Sequence, residues 1–312
     1  MTQPKEFSLQ DFPHSEKQAP GMRLLQADFT NTTVLTLPDI DYVCREGHPL
    51  HLHIMIPQKQ SPDSDTVDGP YPLIVYVQGS AWFKQNTAMN LAQLGRMARR
   101  GFVIASVEYR PSDLAPFPAQ IEDTKTAIRY LRQQAGQYKI NPRQVVLWGD
   151  SSGGHTVVMS GITAGTDWFD TGVYAEESCA VAGIVDYYGP SLVSEMANEP
   201  SNVDHVTAQS PEGMLLGQVK VHDHLDLAQA ASPIPYIDQT RRLPPIVIFH
   251  GSKDRTVPFG QSVLLYNQLR DCGQAVEFYR IEGADHGGPA FWTDEVLDLT
   301  ESHIRQFIQA IE

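Results

Sequence analysis

The chain has 312 residues, a formal charge of −14 and three cysteines. This length suffices for one α/β domain that buries roughly 75% of the surface of its unfolded chain, with no need of disulfide or metal staples. The acidic balance argues against nucleic acid and anionic membrane as partners, which both require a basic face, and no stretch reaches the roughly 20 apolar residues of a membrane span.

Residues 1–30 are polar, contain prolines and lack periodicity. They read as an N-terminal arm, either a loose tail or a segment that reaches a partner subunit or covers the active site, so homo-oligomerisation stays open. There is no apolar core of signal-peptide length. The cysteines (Cys44, Cys179, Cys272) are odd in number and widely spaced. A cytoplasmic protein is the expectation.

Thr33–Val43 and Leu50–Ile56 are β-like and flank Arg45-Glu-Gly-His48, which predicts an antiparallel hairpin. His51 and His53 share one face of the second strand. With no third ligand nearby they read as an exposed strand face rather than a metal pair. Gln58–Pro70 is a polar loop. Leu73–Val77 is a buried parallel strand, followed by Gln78-Gly-Ser-Ala-Trp82. A helix is predicted over Asn86–Arg100 with Gly101 at its end, then a strand over Phe102–Val107 and an amphipathic helix over Pro118–Gln134. Asn141-Pro142 reads as a turn into a strand at Val145.

Strand-like runs recur at Cys179–Asp186, Pro245–Phe249 and Ala275–Ile281, with helices at Phe259–Arg270 and Ala290–Ile311. Residues 190–243 break the rhythm and read as a small cap insertion with helical pieces at Glu212–Leu216 and Leu227–Ala231. Strand and helix otherwise alternate. That predicts a single α/β domain over residues 1–312, with a mostly parallel eight-stranded sheet and helices on both faces.

Within this pattern, Val145-Val-Leu-Trp-Gly-Asp-Ser-Ser-Gly-Gly-His155 stands out. An apolar strand runs into Gly149-Asp-Ser151-Ser-Gly153, and a small-residue helix follows, the context a G-x-S-x-G nucleophile elbow needs. A serine requires a base, and the base an orienting carboxylate. On a parallel sheet both belong at carboxyl ends of strands. The strand at 245–249 runs into His250-Gly-Ser-Lys-Asp254, and the strand at 275–281 into Glu282-Gly-Ala-Asp285-His286-Gly-Gly288. Ser151, Asp254 and His286 therefore form a candidate catalytic set in the order nucleophile, acid, base. The competing readings are Asp254 as a turn residue paired with Arg255, Asp186 as the acid, and His250 or His155 as the base. Asp285 reads as loop-shaping.

Oxyanion donors are expected from the backbone N–H groups of Ser80, Ala81 and Ser152. Trp82 and Phe83 either wall the acyl pocket or pack. Tyr187 and Tyr188 sit at the base of the cap, with Tyr188 as a candidate substrate contact.

Together these residues resemble the α/β-hydrolase superfamily, in its esterase/lipase branch related to hormone-sensitive lipase. The resemblance runs from about residue 70 onward and includes Tyr109-Arg110, Pro116-Phe-Pro-Ala119 and His250-Gly-x-x-Asp254-x-x-Val-Pro258. The segment Gln120–Arg132 with Gly149–His155 is similar to the bacterial carboxylesterase group that includes feruloyl-esterase-like and kynurenine-formamidase-like enzymes. One departure is Gln78-Gly-Ser-Ala-Trp82, where that family usually has His-Gly-Gly-Gly or His-Gly-Gly-x-Trp. The resemblance implies an α/β-hydrolase fold and a serine carboxylesterase acting on a small-molecule ester, with no cofactor and no metal. An amidase with the same catalytic set, a non-catalytic binding protein of this fold and a metal-dependent hydrolase using His222-Asp-His224 are the rival readings.

Overall fold

The computed structural model describes residue 7, residues 11–59 and residues 69–311. The expected arm at 1–30 and the expected loop at 58–70 lie partly outside the described residues.

The hairpin forms as β1 (Thr32–Arg45) and β2 (His48–Lys59), followed by β3 (Tyr71–Val77), α1 (Leu91–Arg99), β4 (Val103–Val107), α2 (Ala119–Gln133) and β5 (Ile140–Asp150). Next come α3 (Ser152–Ile162), β6 (Gly183–Tyr187), α4 (Pro211–Leu215), α5 (Leu225–Ala230), β7 (Ile246–Gly251), α6 (Gly260–Asp271), β8 (Val276–Ile281) and α7 (Asp294–Gln309). The eight strands make one sheet in the order β1-β2-β4-β3-β5-β6-β7-β8. The two pairings made by β2 are antiparallel and all the others are parallel.

Alternation along the strands splits the core between the two faces. Leu73, Val75 and Val77 of β3 pack with Ala127, Ile128 and Leu131 of α2 and with Val157, Val158 and Ile162 of α3. Ile74 and Tyr76 point the other way, against Leu94 and Met97 of α1 and Leu297, Ile304 and Phe307 of α7. Helices therefore cover both faces, and β3, β4, β6, β7 and residues 145–149 of β5 are buried along nearly their whole length. A buried ion-pair cluster fastens α2 to the sheet edge: Asp123, with its side chain fully buried, receives Arg110 at 2.8 Å and Arg45 at 3.3 Å.

Three local expectations are corrected. The helix expected from Asn86 begins at Leu91, because residues 86–90 form turns whose polar groups bond back to the sheet: the Asn86 N–H donates to Gln78 Oε1 (2.9 Å) and Asn90 Nδ2 to the Tyr76 hydroxyl (2.7 Å). Asn141-Pro142 lies inside β5, where a register shift between the Tyr71 and Leu73 pairings accommodates it. His53 is buried rather than exposed. Its Nδ1 accepts the Asp39 N–H (3.1 Å) and its Nε2 meets Thr87 Oγ1 at 2.9 Å, while His51 pairs with Asp41 at 2.7 Å. Among the described residues no group of three or more potential ligands could hold a metal ion, and no helix is long and apolar enough to cross a membrane.

The segment 190–243 buries Val193, Leu215, Leu216, Val221, Ala228 and Ala231 in a third apolar cluster around Trp82. One polar chain runs through it. The Trp82 indole N–H donates to His155 Nδ1 (3.1 Å), and His155 Nε2–H donates to the Ala231 carbonyl (2.7 Å). Burial pushes the His155 imidazole down to about 4, so it stays neutral and holds this single tautomer. The chain ties the β3 loop, α3 and the 190–243 segment together.

Asp186, at the end of β6, is fully buried. One carboxyl oxygen accepts the Gly189 N–H (2.9 Å) and the other has no partner among the described residues. Burial pushes its carboxyl up to about 7. Between the ordinary value of 3.8 and about 7 the folded chain binds a proton that the unfolded chain releases. Asp186 therefore makes stability fall as pH rises through that window. His155 acts oppositely: between about 4 and 6.5 the unfolded chain binds the extra proton, and stability rises with pH.

Two outcomes follow for purified protein. Asp186→Asn keeps the acceptor for Gly189, so its stability in denaturant melts gains on wild type as pH is raised from 4 to 7 and holds a constant margin above about 7. Trp82→Phe strands the buried His155 Nδ1 and loses about 1–3 kcal/mol of stability, read as a lowered denaturant midpoint with an unchanged slope.

Candidate active site

β5 ends at Asp150 and α3 begins at Ser152, with Ser151 between them at φ 54°, ψ −127°. A non-glycine residue in this region costs on the order of 1–3 kcal/mol and persists only where the surroundings impose it. Here the surroundings are glycines in close approach. A methyl group added at Gly153 would lie 2.0 Å from the Val77 carbonyl oxygen, and one at Gly149 would lie 2.3 Å from the Gly153 oxygen. The Ser151 N–H donates to the Tyr187 carbonyl (2.8 Å), and the Ser151 carbonyl accepts the His155 N–H (3.0 Å). The hydroxyl is thus left to project at the carboxyl rim of the sheet.

Two loops bring the partners to it. Asp254 follows β7 and His286 follows β8, and these are adjacent strands. His286 Nε2 lies 2.9 Å from Ser151 Oγ, and His286 Nδ1 lies 2.7 Å from Asp254 Oδ2. The loops are cross-tied by Arg255 and Asp285: the Arg255 N–H donates to Asp285 Oδ1 (3.1 Å) and its Nε to Oδ2 (2.8 Å). Asp285 Oδ1 also accepts the His286 N–H at 2.8 Å. Arg255 therefore pairs with Asp285 and leaves Asp254 to the imidazole. Tyr188, at φ 44° and 5% exposed, sets its ring 4.7 Å from that of His286.

The Asp254 side chain is fully buried. Burial alone would push its carboxyl up. Hydrogen bonds from His250 and His286, with their charge, outweigh burial and hold it at about 2. Its Oδ1 accepts the N–H groups of Thr256 (2.8 Å) and Val257 (2.9 Å), while His250 Nε2 lies 3.1 Å from Oδ2. His250, weighed as a base from the sequence, thus sits behind the carboxylate and does not face Ser151. Asp186 is engaged with Gly189, and His155 with Trp82 and Ala231.

The loop after β3 is fixed from several sides. Gln78 accepts the Asn86 N–H with its side chain, and its carbonyl accepts Gln85 Nε2 at 2.9 Å. The Gly79 N–H donates to Asp150 Oδ1 (3.2 Å), which also accepts the Tyr76 hydroxyl (2.5 Å). The Ser80 N–H donates to Ser152 Oγ (2.9 Å), and the Ser80 hydroxyl to the Phe83 carbonyl (2.6 Å). Ser80 therefore pegs the loop to the elbow, and its N–H is committed to that bond. Ala81 stands at φ 55° on the cleft, and Ser152 opens α3, where first-turn N–H groups have no helical acceptor.

A cleft of about 770 Å³ opens over these groups. Ser80, Ala81, Ser151, Tyr188 and His286 line it, together with Asn90, Gln93, Arg96, Thr256 and Trp292. Trp82 does not line it. It is 1% exposed beneath segment 190–243, so the acyl-wall reading of Trp82 gives way to packing. Sequence reasoning missed Asn90, Trp292 and the placement of His250. Only the four-residue spacing of His250 and Asp254 at a strand end carried a signal.

Residues 59–269, more than half of the chain, match the BD-FAE family model. Esterase LipQ of Mycobacterium tuberculosis (strain ATCC 25618 / H37Rv) is 30% identical over 219 residues, which are 69% of this chain and 50% of that protein. The chain spans about half the length of the curated relatives it matches. Among solved structures, a truncated carbohydrate esterase from gut microbiota has a TM-score of 0.76 at 30% identity, over 91% of this chain and 99% of that one. The bifunctional GH43-CE of Bacteroides eggerthii has a TM-score of 0.75 at 31% identity, over 88% of this chain and 35% of that one. With the sheet order, the elbow and these matches in agreement, the chain has the α/β-hydrolase fold and belongs to the BD-FAE family.

Proposed function

We propose that this protein is a serine carboxylesterase that hydrolyses short-chain acyl or aryl esters of small molecules through an acyl-enzyme. The observation that carries this reading is the continuous chain of contacts from Ser151 through His286 to Asp254, at 2.9 and 2.7 Å, at the floor of an open cleft. In the first half-reaction Ser151 Oγ attacks the acyl carbon while His286 Nε2 takes its proton. The carboxylate of Asp254 holds the Nδ1–H tautomer and stabilises the imidazolium. The N–H groups of Ala81 and Ser152 receive the oxyanion. His286 then gives its proton to the leaving alcohol. In the second half-reaction it draws a proton from water, which attacks the acyl carbon, and returns that proton to Ser151 Oγ as the acyl–oxygen bond breaks and the acid leaves.

Segment 190–243 acts as a cap by fastening Trp82, and hence the loop bearing Ala81, against α3. Asn90, Gln93, Arg96 and Trp292 also line the cleft, with Arg96 bonded to the Trp292 carbonyl and Asn90 Nδ2 donating to the Tyr76 hydroxyl. This polar and aromatic mixture supports an alcohol rich in hydroxyls, and the gut-microbial and Bacteroides neighbours named carbohydrate esterase and GH43-CE support the same choice. An amidase would use the same three side chains, so the substrate comparison must include amides.

The test is turnover of p-nitrophenyl acetate, butyrate and octanoate, an acetylated sugar and an N-formyl arylamide by wild type and Ser151→Ala. The expected order favours acetate and butyrate over octanoate, with the acetylated sugar cleaved and the amide slow. Ser151→Ala loses about 10⁴-fold or more in kcat. Wild-type turnover by Ser151→Ala would overturn the proposal, and faster cleavage of the amide than of every ester would move the reading to an amidase.

A further inference from the structure

We propose that His250 is a positioning residue for the reaction: a second imidazole that shares the Asp254 carboxylate oxygen with His286 and thereby sets how strongly that carboxylate supports the base. The inference rests on the Ser151–His286–Asp254 reading above and adds a fourth member on its far side.

The geometry is specific. His250 is the penultimate residue of β7 and is fully buried. Its Nε2 faces two oxygen acceptors, Asp254 Oδ2 and the Val257 carbonyl, each at 3.1 Å. A nitrogen between two acceptors carries hydrogen in either protonation state of the ring. Its Nδ1 meets the Ser262 hydroxyl of α6 at 2.7 Å, which fixes the ring plane. Asp254 Oδ2 is therefore the meeting point of two imidazole N–H groups, from His286 at 2.7 Å and from His250 at 3.1 Å. The other oxygen is filled by the N–H groups of Thr256 and Val257. Every hydrogen-bond donor on the carboxylate thus comes from a fixed group.

Two donors on one oxygen weaken each other, because each draws on the same electron density. Removing the His250 donor concentrates that density on His286 and makes its ring a stronger base. It also releases one of the four bonds that hold the Asp254 rotamer. The other ionisable or charged groups around the pair are Tyr188 just after β6, Asp150 at the elbow, Asp285 with Arg255 on the outer side, and Arg280, which lies over the Phe259 ring beside His250. Among the described residues only Asp254 hydrogen-bonds to both imidazoles.

The experiment compares His250→Asn with His250→Gln. Both place an amide in the same buried space, but the Gln amide reaches the position of Nε2 and the Asn amide ends near Nδ1. The readouts are kcat, KM and the acid limb of the kcat/KM profile on p-nitrophenyl acetate. His250→Asn is expected to lower kcat roughly tenfold with KM little changed and to move the acid limb to higher pH. His250→Gln restores the wild-type limb. An unmoved limb in a folded His250→Asn, or a limb moved equally by both variants, overturns the inference. If His250→Asn does not fold, the reciprocal measurement decides. In His286→Ala the downfield proton resonance of His250 Nε2–H moves further downfield as its competitor leaves, and an unchanged resonance overturns the inference. A wild-type protein that turns over no ester is a different result, which fails the esterase reading and not the sharing of Asp254.

Discussion

The backbone of one residue governs the rest of this molecule. Ser151 is held at φ 54°, a conformation an L-residue adopts only under compulsion. The compulsion comes from β3, β5 and α3 meeting with no room for a side chain at Gly149 or Gly153. Because strand and helix pack so closely, the turn between them must be sharp, and a sharp turn lifts its apex above the sheet. The fold supplies everything else at that height. The loops after β7 and β8 arrive side by side because those strands are neighbours, and the loop after β3 arrives from the other side because β3 neighbours β5.

The buried polar groups divide by what they are asked to do. Those at the rim are charged and saturated: Asp254 accepts from two backbone amides and two imidazoles and is kept ionised by them. Those beneath the elbow are pushed toward their neutral forms. His155 bridges Trp82 and Ala231 without a proton to spare, and Asp186 sits in a pocket that pushes it toward its acid form. The carboxylate of Asp254 thus acts on the imidazole across a short distance, while burial pushes the carboxyls of Asp150 and Asp186 up, toward their acid forms.

Much of this was legible in the sequence. The alternating strand and helix runs predicted eight strands with a mostly parallel sheet, and the sheet has that form because buried parallel strands must be apolar on both faces. Chemistry gathers at strand ends, which singles out Ser151, Asp254 and His286 together, and in the structure His286 hydrogen-bonds to both of the others. What was not legible depends on contacts between residues far apart in the chain. Asn86–Asn90 looked helical, yet their polar groups are used by Gln78 and Tyr76. His53 looked exposed by alternation, but the 86–90 turn covers it through Thr87. Trp82 follows the loop that forms the cleft, and only the packing of segment 190–243 shows that it turns beneath that segment. Ser80 looked like an oxyanion donor until its N–H met the hydroxyl of Ser152.

The central claim is that three distant side chains act as one nucleophilic unit, with the hydroxyl of Ser151 made reactive by His286. Covalent labelling tests this most directly. The protein is treated with a fluorophosphonate, digested, and the adduct located by mass spectrometry in wild type and in His286→Ala. The account predicts one adduct, on Ser151, formed rapidly in wild type and at a rate reduced by orders of magnitude in His286→Ala. An adduct on another residue, or equal labelling of Ser151 with and without the imidazole, would contradict it.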